Sequence, residues 1–173
     1  IDKRTAFACE IVKRARAKVG TDFPIAIRFS QWKQQDFDAK LAYTEEDLKT
    51  FLMPLVDAGI DMFHASNRRY WEPEFEGSNL NLAGWTKKLT GLPTITVGSV
   101  GLKSDFIGLY AGEDAVESQS IDDLVKRMEA DEFDMVAIGR ALLSDPEWVK
   151  KVKAGDFEEI IPFEKKYLSL IHI

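Results

Sequence analysis

The stretch Asp134-Met-Val-Ala-Ile-Gly-Arg-Ala-Leu-Leu-Ser-Asp-Pro-Glu-Trp148 decides how the chain is read, together with Pro93-Thr-Ile-Thr-Val-Gly-Ser-Val-Gly101. Each is a short run suited to a buried strand, and each breaks at glycine. The later run passes directly into a helix whose first turn carries Arg140. Two strands ending in glycine, one feeding a helix N-terminus, form a physical recipe for holding a phosphate. Glycine lets the backbone come close, N–H groups without helical partners point at the anion, and a cation neutralises it. In a barrel of alternating strands and helices, such a site belongs to the loops after strands seven and eight.

Outward from these two stretches the same rhythm recurs. Thr5 to Val19 places Phe7, Ile11, Val12, Ala15 and Val19 at helical spacing, with Gly20 at the stop. Phe23 to Ser30 predicts a strand. Thr44 caps a helix that opens on acidic residues, carries Pro54 as an expected kink, and runs to Gly59. Asp61 to Ser66 predicts a second strand, and Ala83 to Leu89 a helix after a long loop. Pro93 to Val97 is a third strand, Ile121 to Glu129 a helix begun by Ser120, and Met135 to Ile138 a fourth strand. A last helix with Pro146 early in it reaches about Lys153 and ends at Gly155. Helix then strand, repeated, means parallel pairing through helical crossovers.

The bulk properties bound the function. A chain of 173 residues suits a single domain, here read as residues 1–173 with a tail over 156–173. The net charge of −6 argues against nucleic acid or an anionic membrane surface as the main partner. Cys9 is the only cysteine, which excludes an internal disulfide and suits a reducing, cytoplasmic compartment. No apolar run approaches the ~20 residues that cross a bilayer. No His, Cys and carboxylate cluster has metal-ligand spacing, so no metal site is predicted. The chain opens on Ile1 rather than Met and reads as a piece of a longer one.

Four strand–helix units make either half of an eight-stranded (β/α) barrel or a small open doubly wound sheet. Two details favour the barrel. No strand is followed by the Gly-x-Gly-x-x-Gly turn of a dinucleotide-binding sheet, and each strand turns polar or Gly-rich at its C-terminal end, where barrel chemistry gathers.

Four segments in register carry a family likeness: Ile27-Arg-Phe-Ser-Gln-Trp-Lys33, Val56-Asp-Ala-Gly-Ile-Asp-Met-Phe-His64, Thr96-Val-Gly-Ser-Val-Gly101 and Val136-Ala-Ile-Gly-Arg-Ala-Leu-Leu-Ser-Asp-Pro146. Together they resemble the Old Yellow Enzyme family of NAD(P)H:flavin oxidoreductases, or ene-reductases, from Arg4 to about Gly155. The resemblance implies a (β/α)8 TIM-type barrel of which only the C-terminal half, strands five to eight, is present. It implies flavin mononucleotide (FMN) as cofactor, NADH or NADPH as reductant, and an activated alkene as the small-molecule substrate.

The site residues follow from the likeness and can be weighed as chemistry. Arg28 has the strand parity of Ala26 and Ser30 and faces the barrel, where the family's arginine stabilises charge at the flavin's pyrimidine edge. The bland reading is a structural ion pair with an acidic neighbour, since a bare buried charge is costly. Gly98, Ser99, Gly101, Gly139 and Arg140 match the phosphate-binding loops, with Arg140 as charge partner. The bland alternative for the glycines is tight turns alone. Tyr70, Trp71 and Phe75, in an aromatic-rich loop, are expected to wall a substrate or nicotinamide pocket, or else to pack among themselves. Gln31, Trp32 and Lys33 carry the same alternatives. His64 is taken as structural, and Cys9 as core filler.

No catalytic residue is assigned to this chain. The family's substrate-gripping pair and proton donor belong to the first half of the barrel. The fragment is therefore expected to be inactive alone. Its open edges call for the missing N-terminal half or a second copy, and the apolar segment Ile160, Ile161, Phe163, Leu168, Leu170 and Ile171 offers surface for covering or self-association. A non-catalytic binding or assembly fragment, or half of another phosphate-binding barrel, are the competing readings.

Overall fold

The computed structural model describes residues 2–33, 35–106, 112 and 115–172, and a sheet of four parallel strands organises them. Helix α1 (Asp2–Val19) leads into β1 (Ala26–Phe29), α2 (Glu45–Ala58) into β2 (Met62–Ser66), and α3 (Leu82–Thr90) into β3 (Thr94–Val97). A two-residue strand, β4 (Ala115–Val116), precedes α4 (Asp122–Glu129) and β5 (Met135–Ala137). Two short helices follow, α5 (Arg140–Ser144) and α6 (Trp148–Ala154), and then β6 (Phe163–Glu164), which pairs antiparallel with β4.

The main sheet runs β1–β2–β3–β5, each pair parallel. Successive strands lying side by side, each reached through a helix, is the winding of a TIM barrel, whereas a doubly wound sheet reverses direction partway. The four strands correspond to part of such a barrel. Register assigns the faces: Arg28 lies opposite His64, His64 opposite Ile95, and Ile95 opposite Met135, so these share the inner face. Phe63, Ala65, Thr94 and Thr96 alternate to the outer face, where each is 0% exposed beneath the helices. The inner face stays open, with Arg28 and Met135 exposed.

The helices form for local reasons. Thr44 accepts the Asp47 N–H at 3.1 Å, and Glu45, Glu46 and Asp47 meet the positive end of α2. Leu48, Leu52 and Leu55 make its buried stripe, and the helix runs on through Pro54 to Gly59, which takes φ 105°. Asn81 caps α3 by accepting the Gly84 N–H at 2.9 Å, while its own amide donates to the Tyr70 carbonyl at 2.7 Å.

Three expectations need correction. On α1 the buried stripe is Thr5, Cys9 and Val12, while Phe7, Ile11 and Val19 are exposed. The sequence carries two apolar stripes on that helix, and α2 covers only one. Ser120 does not occupy the cap of α4: Ile121 does, and Ser120 accepts the Asp122 N–H from one residue earlier. The last helix begins at Trp148, so Pro146 precedes it rather than lying inside it, and Asp145 just before accepts from the Ile161 N–H at 3.0 Å and pairs with Lys151 at 2.8 Å. That bond folds the tail back onto the body. Phe163, 0% exposed, joins Leu102 and Val116 in a small second core. The side chains of Leu170 and Ile171 lie outside the described residues. Among the described residues no helix is long and apolar enough to cross a membrane, and no cluster of three His, Cys, Asp or Glu residues could hold a metal.

Candidate functional site

The carboxyl ends of the strands open into a cavity of about 300 Å³. Val97 and Ala137, the last residues of β3 and β5, contribute to its apolar lining. Gly98 and Ser99 come from the loop after β3, and Gly139 from the turn into α5. Arg28, Arg68 and Arg140 all border it, and among the described residues no carboxylate does. Trp32 and Phe106 add aromatic surface.

Arg28 projects from the inner face of β1 and donates to Ser66 Oγ at 3.0 Å. No described carboxylate stands within ion-pair distance of it, so the ion-pair alternative finds no support. The expected burial of this arginine also needs correction. The residue is exposed because the inner face is open, and water keeps its charge solvated.

Arg140 is drawn inward. Its guanidinium donates to the Ser104 carbonyl at 2.7 Å, the Asp105 carbonyl at 3.1 Å and Ser99 Oγ at 3.2 Å, and it sits 5.6 Å above the Phe163 ring. One side chain thus ties α5 to the loop after β3, which makes the two glycine turns neighbours in space. Ser99 holds a left-handed conformation, φ 52°, unusual for a residue with a Cβ.

The glycines divide by role. A Cβ on Gly98, at φ 132°, would stand 2.7 Å from the Asn67 carbonyl oxygen, so the loops after β2 and β3 can only meet there through glycine. A Cβ on Gly139 would meet nothing within 4 Å. Gly101 is a correction: it does not border the cavity, and its Cα faces the Trp148 ring, 3.0 Å from where a Cβ would be.

Tyr70, Trp71 and Phe75 are a second correction, for they do not reach the cavity. Tyr70 is 1% exposed and meets Trp71 edge-on at 5.2 Å, and Phe75 packs against Trp85 at 5.5 Å. Burial of the loop's own aromatics explains the cluster. Trp32 supplies the aromatic wall instead, stacked near Phe37 and Phe106. Arg68 was missed by the sequence reading. Its parity offered a signal, since His64, Ser66 and Arg68 continue one face past the end of β2. His64 itself shares the inner face with Arg28. Burial first, and then the Arg28 charge, hold its imidazole below the ordinary pKa, and among the described residues its Nε2 has no hydrogen-bond partner.

The arrangement defines a class: a partial TIM barrel with an arginine-rich cavity at the ends of its strands, where barrel proteins bind their ligands. The chain belongs to the NADH:flavin oxidoreductase / NADH oxidase family, whose family model matches residues 1–159. It is 33% identical over 167 residues to NADH oxidase of Thermoanaerobacter brockii, covering 92% of this chain and 22% of that protein. The 2-naphthoyl-CoA reductase structure superposes with a TM-score of 0.60 at 21% identity, over 92% of this chain and 22% of that one. The old yellow enzyme homologue from Zymomonas mobilis gives 0.58 at 13%, over 88% of this chain and 37% of that one. At such identities the structural likeness is one of fold. The chain spans about a fifth of the NADH oxidase's length.

Proposed function

We propose that this chain is the C-terminal half of an FMN-dependent NAD(P)H oxidoreductase and that it supplies the flavin's phosphate and pyrimidine contacts. One observation carries the reading: Arg28 and Arg140, with the glycine turns at 98 and 139, face a single cavity. Positive charge gathered at a cleft draws an anion and raises its local concentration. The residues present fit a nucleotide phosphate. Gly139 leaves open space where a Cβ would stand, and Ser99 offers a hydroxyl beside the guanidinium.

When bound, FMN would carry a hydride from NADH or NADPH to an activated alkene. Arg140, with Ser99 and the backbone at Gly98 and Gly139, would hold the phosphate. Arg28 would stabilise negative charge at the pyrimidine. Val97 and Ala137 keep one wall apolar and exclude water there. Among the described residues no His, Tyr, Cys, Asp or Glu lines the cavity, and the proton for the alkene carbon is assigned to a donor outside them.

The partner is the other half of the barrel. The inner face of β1 is exposed, β1 and β5 are free sheet edges, and Phe7 and Ile11 stand 78% and 52% exposed on α1. A second copy is the other route to closing that face. The same open surface favours one further reading, an assembly fragment without turnover. Cys9, a lone free thiol, fits a cytoplasmic setting.

Titrating the purified chain with FMN and following flavin fluorescence tests this reading. The expected result is saturable binding at one flavin per chain, weakened at least tenfold in Arg140→Ala, without NADPH oxidation. Absence of saturable binding by a folded chain would overturn the cofactor assignment.

A further inference from the structure

Beside the flavin cavity lies a second one of about 270 Å³, between the segment after β1 and the loop after β2. The two share Trp32, Ser66, Asn67 and Arg68. We propose that this outer cavity binds a carboxylate borne on a small, flat, conjugated molecule, with Arg68 as its cation. That the molecule is the organic substrate of the oxidoreductase rests on the function proposed above; the binding itself does not.

The case begins with Arg68. Its backbone is locked in place: a Cβ on Gly98 would come within 2.9 Å of the Arg68 carbonyl, and Ser99 Oγ lies 3.1 Å from that oxygen. Its head lies 5.7 Å over the ring of Phe37, which borders the outer cavity and not the inner one. Among the described residues none of its nitrogens makes a hydrogen bond. The nearest carboxylate is Asp105, 3.9 Å from Nε.

Arg69, the next residue, shows what a satisfied arginine looks like here. It pairs with Glu72 at 2.6 Å and takes the closer share of Asp105 at 3.4 Å. Of the other charges at the walls, Glu74 and Lys40 are matched to each other. Glu74 accepts from Gln31 at 2.8 Å and faces Lys40 at 3.5 Å, while Asp38 stands exposed. Arg68 is left as a half-buried guanidinium, 26% exposed, with donors in a fixed fork. A carboxylate matches that fork with two parallel hydrogen bonds.

The walls suggest the rest of the ligand. Trp32 and Phe37, with ring centroids 5.5 Å apart, give aromatic surface directly beside the cation, and Phe106 of the inner cavity packs against both at 5.9 Å. Trp32 Nε1 is buried with no hydrogen-bond partner among the described residues. A volume of about 270 Å³ accommodates a compact aryl or alkenyl acid. Because Trp32 and Asn67 border both spaces, a molecule anchored at Arg68 extends toward the flavin cavity.

The probe is benzoate, with benzamide as its uncharged counterpart, titrated into the full chain while the Trp32 indole N–H signal is followed by NMR. Benzoate is expected to shift that signal and to bind at least tenfold more tightly than benzamide. Arg68→Gln should weaken benzoate about tenfold and FMN by a smaller factor, whereas Arg140→Ala weakens FMN and leaves benzoate binding intact. Equal affinity for the two probes, or benzoate binding untouched by Arg68→Gln, overturns the proposal. So does an equal loss of FMN and benzoate in that variant, which would assign Arg68 to the nucleotide. Should Arg68→Gln fail to fold, Phe37→Leu, which removes the ring beneath the guanidinium, should weaken benzoate severalfold; unchanged affinity there overturns it equally. Benzoate binding through Arg68 in a chain that ignores FMN would uphold this site and sink the flavin reading alone.

Discussion

Where the strands of the main sheet begin, carboxylates and cations are matched; where they end, arginines gather with few counter-charges. At the first end Asp61 accepts the Ile25 N–H at 2.6 Å and pairs with Arg16, and Asp134 accepts the Thr94 N–H at 2.8 Å and pairs with Lys87 at 2.9 Å. The device is the same twice. A carboxylate placed just before one strand reaches the first N–H groups of its neighbour, while a helix supplies the cation. At the second end, Arg28 has one described hydrogen bond, to Ser66, and Arg68 a distant share of Asp105. The first end spends its charges on holding strands together. The second keeps positive charge available, which adds little to stability and gives the cavity its pull on anions.

Arg16→Ala should break this contrast at its strongest point. Besides Asp61, that side chain donates to the carbonyls of Gly59 at 2.8 Å and of Gly20 and Phe23 at 2.7 Å each. Losing these bonds around one half-buried guanidinium should lower the unfolding free energy by about 2–3 kcal/mol. Arg28→Ala, read by the same urea denaturation, should cost less than about 1 kcal/mol, since the arginine is exposed and makes one described hydrogen bond, to Ser66. Equal costs would mean the two ends are not built differently. A second measurement sharpens the point: Arg28→Ala should weaken FMN about tenfold, roughly 1.4 kcal/mol, while Arg16→Ala leaves the affinity of the folded fraction unchanged.

The contrast also explains what sequence could and could not disclose. Strands and caps are local, so β2, β3 and β5 emerge within a residue or so of their expected bounds, and Thr44 and Gly59 stand where their chemistry puts them. The glycine turns at 98 and 139 meet one cavity because consecutive barrel strands bring them there. The failures are all questions of which neighbour a side chain meets. On α1 the spacing permits two apolar faces, and only the position of α2 decides for Cys9 over Phe7. Tyr70, Trp71 and Phe75 form the conspicuous aromatic cluster, yet the cavity takes Trp32 and Phe106, residues from two different connections that no local pattern joins. Gly101 resembles a phosphate glycine until Trp148 is seen against it.

The smallest expected effect is a difference in pH response between the ends. The Ile25 N–H, and then Arg16, hold the Asp61 carboxyl below its usual range. Burial works against Asp134, but Lys87 and the Thr94 N–H bring it below as well. For such groups the stabilisation is complete above the unfolded pKa, about 3.9, and disappears as pH falls through the lowered folded value. Glu74, at the strand-end loops, has the opposite sign. Burial pushes its carboxyl up despite Lys40 and Gln31, so its contribution is present below the unfolded pKa of about 4.3 and is lost as pH rises through the raised value. Urea midpoints measured from pH 7 to pH 3 should therefore fall less steeply in Asp61→Asn than in the parent. In Glu74→Gln the midpoint should gain at pH 7, with the gain vanishing toward pH 3. The Lys40 pair lost in that variant is long and partly exposed, and subtracts little. If both variants merely shift the midpoint by an amount independent of pH, the opposed titration of the two ends is wrong, whatever the fate of the flavin site.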